Sequence, residues 1–183
     1  MTVDLTLAQR CLAIEMLIVD VDGVLTDGGI VYADNGPELK VFHVRDGSGL
    51  KIWQYAGKQA ALITGRRSRV VEVRAAEVGL SLVFQGAPEK LAPYRQILDS
   101  RNLRPEQVCF IGDDVPDLPV LRNCGLAVAV ADACPDVLGD AVYVTRAPGG
   151  RGAVRETVEL ILRCQGHWQR VVERFRAEPL AQG

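Results

Sequence analysis

The chain has 183 residues, 48% hydrophobic and 24% charged, a composition that suits one globular domain over 1–183 with a sizeable buried core. Its 21 basic and 23 acidic side chains leave a formal charge of −2, so there is no basic field for nucleic acid, and positive charge must act locally, as a few arginines in a pocket. No long apolar run precedes Asp20, so neither a signal peptide nor a membrane span is expected and the cytoplasm is the expected location.

In chain order, Leu5 to Ala13 has the spacing of a short helix leading into a strand over Met16–Asp20. The β-branched run Leu17-Ile18-Val19 ends abruptly in Asp20-Val21-Asp22-Gly23, which reads as a buried parallel strand delivering two carboxylates to the loop at its carboxyl end. Two like charges in one small site repel unless a cation lies between them, so this stretch asks for a metal. Two strands, Ile30–Ala33 and Leu39–Val44, then flank the turn Asp34-Asn35-Gly36-Pro37 and predict a β-hairpin at about residues 29–44. Tyr32, Val41 and Phe42 on such a hairpin would leave apolar surface and strand edges open, so a partner chain is expected to cover it; folding back onto its own domain is the alternative.

From Ser48 the pattern alternates. Leu50, Ile52, Trp53 and Ala56 form a helical stripe stopped at Gly57, and Ala60–Ile63 is a short strand ending at Thr64-Gly65-Arg66-Arg67. A helix through Val70, Val73 and Val78, a strand over Leu82–Phe84 and a helix over Glu89–Leu98 carrying Lys90 follow. The strand Val108–Ile111 then ends in Gly112-Asp113-Asp114, and Val115–Arg122 with Leu126–Val130 repeats the unit. The glycines of Pro148-Gly149-Gly150-Arg151-Gly152 suit a loop whose backbone approaches a ligand, before a helix over Ala153–Cys164. Beyond Gly166, Trp168, Val171, Val172 and Phe175 lie among arginines in an amphipathic tail, 166–183. Strands alternating with helices over short loops predict an α/β fold, a three-layer αβα Rossmann-like parallel sheet with the first strand central. The five cysteines are scattered without the paired spacing of a zinc or redox site and are expected to be reduced packing residues.

In such a fold the strand ends converge on one crevice, bringing together Asp20 and Asp22, Thr64, Lys90, and Asp113 with Asp114 and Asp117. Order and spacing resemble the four motifs of the haloacid dehalogenase superfamily of phosphohydrolases. A phosphate monoester is inert, so its catalyst needs a positioned nucleophile, proton transfer to the leaving oxygen and neutralisation of the phosphoryl oxygens. The resemblance implies Asp20 as nucleophile, Asp22 as general acid and base, and Thr64 and Lys90 on the phosphoryl oxygens. It further implies Mg²⁺ on Asp20, the Asp22 backbone carbonyl and Asp113. Asp114 or Asp117 would hold a metal-bound water or orient Lys90, with capping of the next helix an equal alternative for each. Gly65, Arg45, Arg66 and Arg151 sit in loops at the expected active face, where an arginine fork suits a substrate carboxylate; ordinary solvated arginines are the alternative.

The gaps between motifs hold only the hairpin, single helices and a short strand, so no cap domain is expected. Val24-Leu25-Thr26-Asp27-Gly28, Val44-Arg45-Asp46-Gly47, Ile63-Thr64-Gly65-Arg66, Gln85-Gly86 and Gly112-Asp113-Asp114 together are similar to the capless 3-deoxy-D-manno-octulosonate 8-phosphate phosphatase family. That resemblance implies a sugar-acid phosphate substrate, a role in lipopolysaccharide synthesis and a homotetramer whose hairpins help roof neighbouring active sites. Two alternatives stand beside it: the sibling branch acting on the nine-carbon 2-keto-3-deoxy-nononate 9-phosphate, and a noncatalytic assembly domain for a cytidylyltransferase. The helix-like tail departs from the family's glycine-bearing one.

Overall fold

The computed structural model describes residues 5–32, 34, 36 and 38–177. Six parallel strands form one sheet in the order β3-β2-β1-β4-β5-β6, from β1 (Met16–Val19), β2 (Gln59–Ile63), β3 (Leu82–Phe84), β4 (Val108–Gly112), β5 (Leu126–Ala129) and β6 (Tyr143–Val144). All four residues of β1 are buried, as an unbroken apolar run requires of a strand covered on both faces. Val19 lies opposite Leu62 of β2 on one side and Ile111 of β4 on the other. The chain winds outward from β1 to β3 and then returns to lay β4 on the opposite flank of β1. The strand order therefore reverses between β1 and β4, and the crevice outside their carboxyl ends is where such a sheet binds ligands.

The helices are α1 (Leu5–Ala13), α2 (Val44–Tyr55), α3 (Arg69–Glu77), α4 (Leu91–Arg101), α5 (Leu118–Leu121), α6 (Pro135–Asp140), α7 (Ala153–Cys164) and α8 (Trp168–Ala177). Helices α1 and α2 both pack on α7, and α5 touches both α4 and α6, giving a layer on each side of the sheet. Trp53, Tyr94 and Phe110 are the largest fully buried side chains, and the Trp53 indole N–H is satisfied by the Gln59 carbonyl at 2.6 Å.

Helix α2 begins at Val44, four residues before the expected start, and takes Gly47 and Gly49 into its interior. The reason is tertiary: a Cβ on Gly47 would run into the Arg74 guanidinium, and one on Gly49 would sit 3.0 Å from the Arg155 Cα. The early start also buries Asp46, whose carboxylate accepts the Gly152 N–H at 3.0 Å and the Arg155 N–H at 2.9 Å, capping α7 from a helix more than a hundred residues away. Asp46→Ala is expected to strand those donors and cost about 1–3 kcal/mol in urea unfolding; an unchanged midpoint would show that the clasp contributes nothing.

Three further differences have physical causes. Among the described residues the hairpin's pairing is a single antiparallel bridge, Val31 with Leu39, and Val44 belongs to α2; Ala33, Asn35 and Pro37 of the expected hairpin lie outside the described residues. Val31, Tyr32, Leu39 and Val41 are each more than half exposed, so no apolar face holds the two arms in register. Lys90 precedes α4 as its cap residue rather than lying within it. The short α6 and β6 carry no periodic signal of their own; β6 joins the sheet edge through two residues paired with Val128 and Ala129. The tail forms α8, where the Arg155 and Arg163 guanidinium groups lie over the Trp168 ring at 5.1 and 4.9 Å, and Phe175 meets Tyr55 edge-on at 5.9 Å. The tail from residue 178, with Pro179, lies outside the described residues.

Candidate active site

Beyond β1 the chain turns on itself, with the N–H groups of Val24, Leu25 and Thr26 all donating to the Val21 carbonyl. The buried Thr26 hydroxyl accepts the Gly28 N–H at 3.2 Å and pins the turn from inside. Gly23 sits at φ +89°, and a side chain there would collide with the Asp113 carboxylate, so the glycine is required both for its backbone and for its neighbour. The glycine loop before α7 presses against this turn: the Gly150 N–H donates to the Val24 carbonyl at 2.8 Å, and a Cβ on Gly149 or Gly150 would strike the backbone of Gly23 or Thr26. Those glycines bring backbone to backbone, bracing the first motif, rather than backbone to a ligand.

The ends of β2 and β3 are joined in the same way. Ala87 N–H donates to the Thr64 carbonyl at 3.1 Å and Gly86 N–H to the Arg66 carbonyl at 3.0 Å, which carries the chain past Thr64 towards Lys90. Asp20, Asp22, Thr64, Gly65, Arg66, Lys90, Asp113, Asp114 and Asp117 thereby line one cavity of about 390 Å³ at the carboxyl ends of the strands. Arg45 and Arg151 do not reach it; they line a separate groove of about 540 Å³ beside α7, with Arg155 and Arg163.

Asp20, Thr64, Lys90 and Asp117 are buried, and their charges are interlocked. The Lys90 ammonium lies 2.9 Å from Asp20 Oδ1 and donates to Asp117 Oδ1 at 2.6 Å. Burial opposes its charge, but these two carboxylates outweigh burial and hold its pKa above the ordinary value. Asp117 Oδ2 accepts the N–H groups of Asp113 at 3.0 Å and Asp114 at 3.3 Å. Both Asp117 oxygens are therefore engaged, one orienting Lys90 and one holding the loop after β4.

Oxygens of Asp20, Asp113 and Asp117 lie within 4.8 Å of one another, a spacing that repels unless a proton or a cation intervenes. Burial pushes the Asp20 carboxyl up to about 6 although Lys90 pulls against it, and burial with the Asp20 and Asp117 charges pushes Asp113 up to about 8. Asp113 Oδ1 is buried with no hydrogen-bond donor. An oxygen-only donor set with an orphaned buried carboxylate oxygen fits a hard divalent cation, and since Asp117 is already engaged, Asp20 and Asp113 have the oxygens to offer it.

The Asp22 side chain stands apart from that cluster. Its Oδ1 pairs with the Lys40 ammonium and its Oδ2 lies 3.8 Å from Arg66 Nε. Glu38 completes the group, accepting from Arg66 Nη2 at 2.8 Å and lying 3.5 Å from Lys40 Nζ. Neither Glu38 nor Lys40 figured among the sequence candidates. The signal was their i, i+2 spacing, which places two opposite charges on one face of an extended arm.

The comparisons with known proteins come to the same place. Residues 43–125 match the model of the haloacid dehalogenase-like hydrolases. The chain is 49% identical over 157 residues to the 3-deoxy-D-manno-octulosonate 8-phosphate phosphatase of Yersinia pestis, covering 86% of this chain and 84% of that protein. It is 48% identical over 153 residues to the enzyme of the same name from Escherichia coli K12, covering 84% and 81%. The solved Yersinia pestis structure superposes with a TM-score of 0.90 at 47% identity, over 91% of this chain and 90% of that one. The Moraxella catarrhalis phosphatase, solved in complex with a magnesium ion, a phosphate ion and a KDO molecule, superposes with a TM-score of 0.90 at 37% identity, over 92% and 97%. By sequence and fold alike, this chain belongs to the 3-deoxy-D-manno-octulosonate 8-phosphate phosphatase family of haloacid dehalogenase-like hydrolases.

Proposed function

We propose that this chain is a Mg²⁺-dependent phosphomonoesterase that hydrolyses 3-deoxy-D-manno-octulosonate 8-phosphate to 3-deoxy-D-manno-octulosonate and phosphate, supplying the sugar acid for lipopolysaccharide synthesis. The observation that carries this reading is the meeting of Asp20, Thr64, Lys90 and Asp113 in one cavity, in a chain about half identical to enzymes of that name. The Moraxella catarrhalis complex supports it, since its magnesium, phosphate and KDO are the cofactor and the two products of the reaction.

The residues divide the work as follows. Asp20, buried and held beside Lys90, attacks phosphorus in line, forming an aspartyl-phosphate as the bond to the sugar oxygen breaks. Asp22 gives a proton to that oxygen and then takes one from the water that cleaves the acyl phosphate and frees Asp20. Thr64 and Lys90 hold phosphoryl oxygens, Lys90 kept on station by Asp117. Mg²⁺ on Asp20 and Asp113, with the Asp22 backbone carbonyl, would supply the remaining positive charge to the phosphoryl group. Arg66 and Gly65 line the cavity mouth and meet the sugar acid. Arg45 and Arg151 lie in their separate groove, where the solvated reading fits them better than binding of the substrate in this cavity.

The exposed hairpin side chains, and the lack among the described residues of a cap between β1 and β2 or between β2 and β3, support association of single-domain subunits, read as a homotetramer, and the cytoplasm is the proposed location. Among the described residues no helix is long and apolar enough to cross a membrane. Phosphate release with Mg²⁺, measured side by side on the eight-carbon and nine-carbon ulosonate phosphates, is expected to favour the eight-carbon ester. A preference for the nine-carbon ester would move the chain to the sibling branch, and no release from either would overturn the reading.

A further inference from the structure

Four charged side chains close into a ring at the cavity mouth: Asp22 to Lys40, Lys40 to Glu38 at 3.5 Å, Glu38 to Arg66 at 2.8 Å, and Arg66 back to Asp22 at 3.8 Å. Their signs alternate, so the ring is neutral and every member has an opposite charge on each side. The Lys40 side chain is shut off from solvent, Glu38 and Asp22 are largely covered, and Arg66 is the most open, at 38%. Three separate segments supply the members: the turn after β1, the arm leaving the hairpin, and the loop after β2. Tyr32, on the opposite arm of the hairpin, adds its hydroxyl to Arg66 at 3.1 Å.

The ring matters because of what else holds its members. Nothing but Lys40 and Arg66 bonds the Asp22 carboxylate among the described residues, whereas Asp20 and Asp117 are clamped by Lys90 and Asp117 also by backbone N–H groups. Equally, among the described residues the hairpin has one backbone bridge of its own, and Glu38, Lys40 and Tyr32 attach it to the site. The orientation of Asp22 and the position of the hairpin are one mechanical fact.

We propose that Lys40 is a positioning residue for the proton-transferring Asp22, holding its carboxylate towards the leaving oxygen, with Glu38 aligning Lys40 and Arg66 from behind; the proposal rests on the phosphatase reading above. Among the described residues Lys40 pairs with Asp22 and Glu38 and not with the Asp20–Asp113 pair. Its loss therefore impairs both proton transfers by Asp22, to the departing alkoxide and later from water, and leaves attack by Asp20 and phosphoryl binding in place.

Leaving-group dependence separates this from a merely structural tie. A sugar alkoxide needs a proton as it leaves, but 4-nitrophenolate leaves without one. Lys40→Met is expected to lower kcat on 3-deoxy-D-manno-octulosonate 8-phosphate by about 10- to 100-fold with KM within about twofold, whereas on 4-nitrophenyl phosphate the first turnover, read as the burst of 4-nitrophenolate before Asp22 activates water, is expected to change by less than about threefold. Lys40→Arg is expected to recover most of the loss, and Glu38→Gln to show a milder form of the same pattern. Equal losses in the first-turnover rate on both esters, or an unchanged kcat on the sugar phosphate, would overturn the proposal. Lys40 lies on a surface arm, and circular dichroism with thermal unfolding checks that each variant is folded; if Lys40→Met unfolds, Glu38→Gln carries the same comparison. Wild-type enzyme inactive on both esters would sink the phosphatase reading itself, an outcome distinct from any result with the variants.

Discussion

Asp20→Asn is expected to reduce phosphate release by about 10⁴-fold or more while leaving the fold and thermal stability intact. Asparagine has the shape of aspartate but cannot bond to phosphorus and leave again as a carboxylate. The site also tolerates the change, because Asp20 is buried among Asp113 and Asp117 and its charge is held against burial that pushes its carboxyl up to about 6. Removing one negative charge relieves the crowding and leaves Lys90 paired with Asp117 at 2.6 Å. The melting temperature should therefore stay the same or rise as turnover disappears. Near-normal turnover in the variant would refute attack by Asp20, and a large fall in melting temperature would mean that the Asp20–Lys90 pair holds the fold as well as the site.

Chelation is the second large effect. Exhaustive treatment with EDTA is expected to silence the enzyme, and Mg²⁺ to restore it, because Asp20 and Asp113 crowd negative charge in a buried place and Asp113 Oδ1 has no donor. The same crowding predicts a signature independent of activity. A cation that binds only the folded chain stabilises it by about 2.7 kcal/mol at a hundredfold excess over its dissociation constant, which is several degrees in melting temperature for a chain of this size. Asp113→Asn should abolish that Mg²⁺-dependent shift. Full activity after chelation, or an equal shift in Asp113→Asn, would remove the metal from this site.

Each large effect traces to side chains whose approach is set by the backbone. Gly23 brings the first turn against Asp113, and the glycines before α7 brace that turn from behind. The clustered carboxylates are held by a scaffold in which closeness of chain to chain matters as much as the identity of the acids.

Much of this arrangement was legible in the residues themselves. Apolar runs of three to five residues, each broken by polar groups and followed by a helical stripe, specify parallel βαβ winding because a strand buried on both faces can carry no polar side chain until it leaves the sheet. For the same reason Asp20, Thr64 and Asp113, each just past a buried run, had to lie at one edge of the sheet. What a linear reading could not supply was decided by contacts between distant segments. Gly47 and Gly49 look like helix breakers, yet α2 runs through them because Arg74 and Arg155 need their space. Asp117 could equally cap a helix or orient Lys90; the placement of Lys90 beside the loop after β4 lets it orient Lys90 with one oxygen and hold the N–H groups of that loop with the other. Arg45 and Arg151 read as loop residues like Arg66, but Arg45 lies in the first turn of α2 and Arg151 just before α7, and both line a different groove. The ring of Asp22, Lys40, Glu38 and Arg66 joins three segments that local pattern treats separately. Burial periodicity is a local property and fixes which strand ends face the crevice; charge pairing acts through space, so the partners of each charge were settled only when the chain closed on itself.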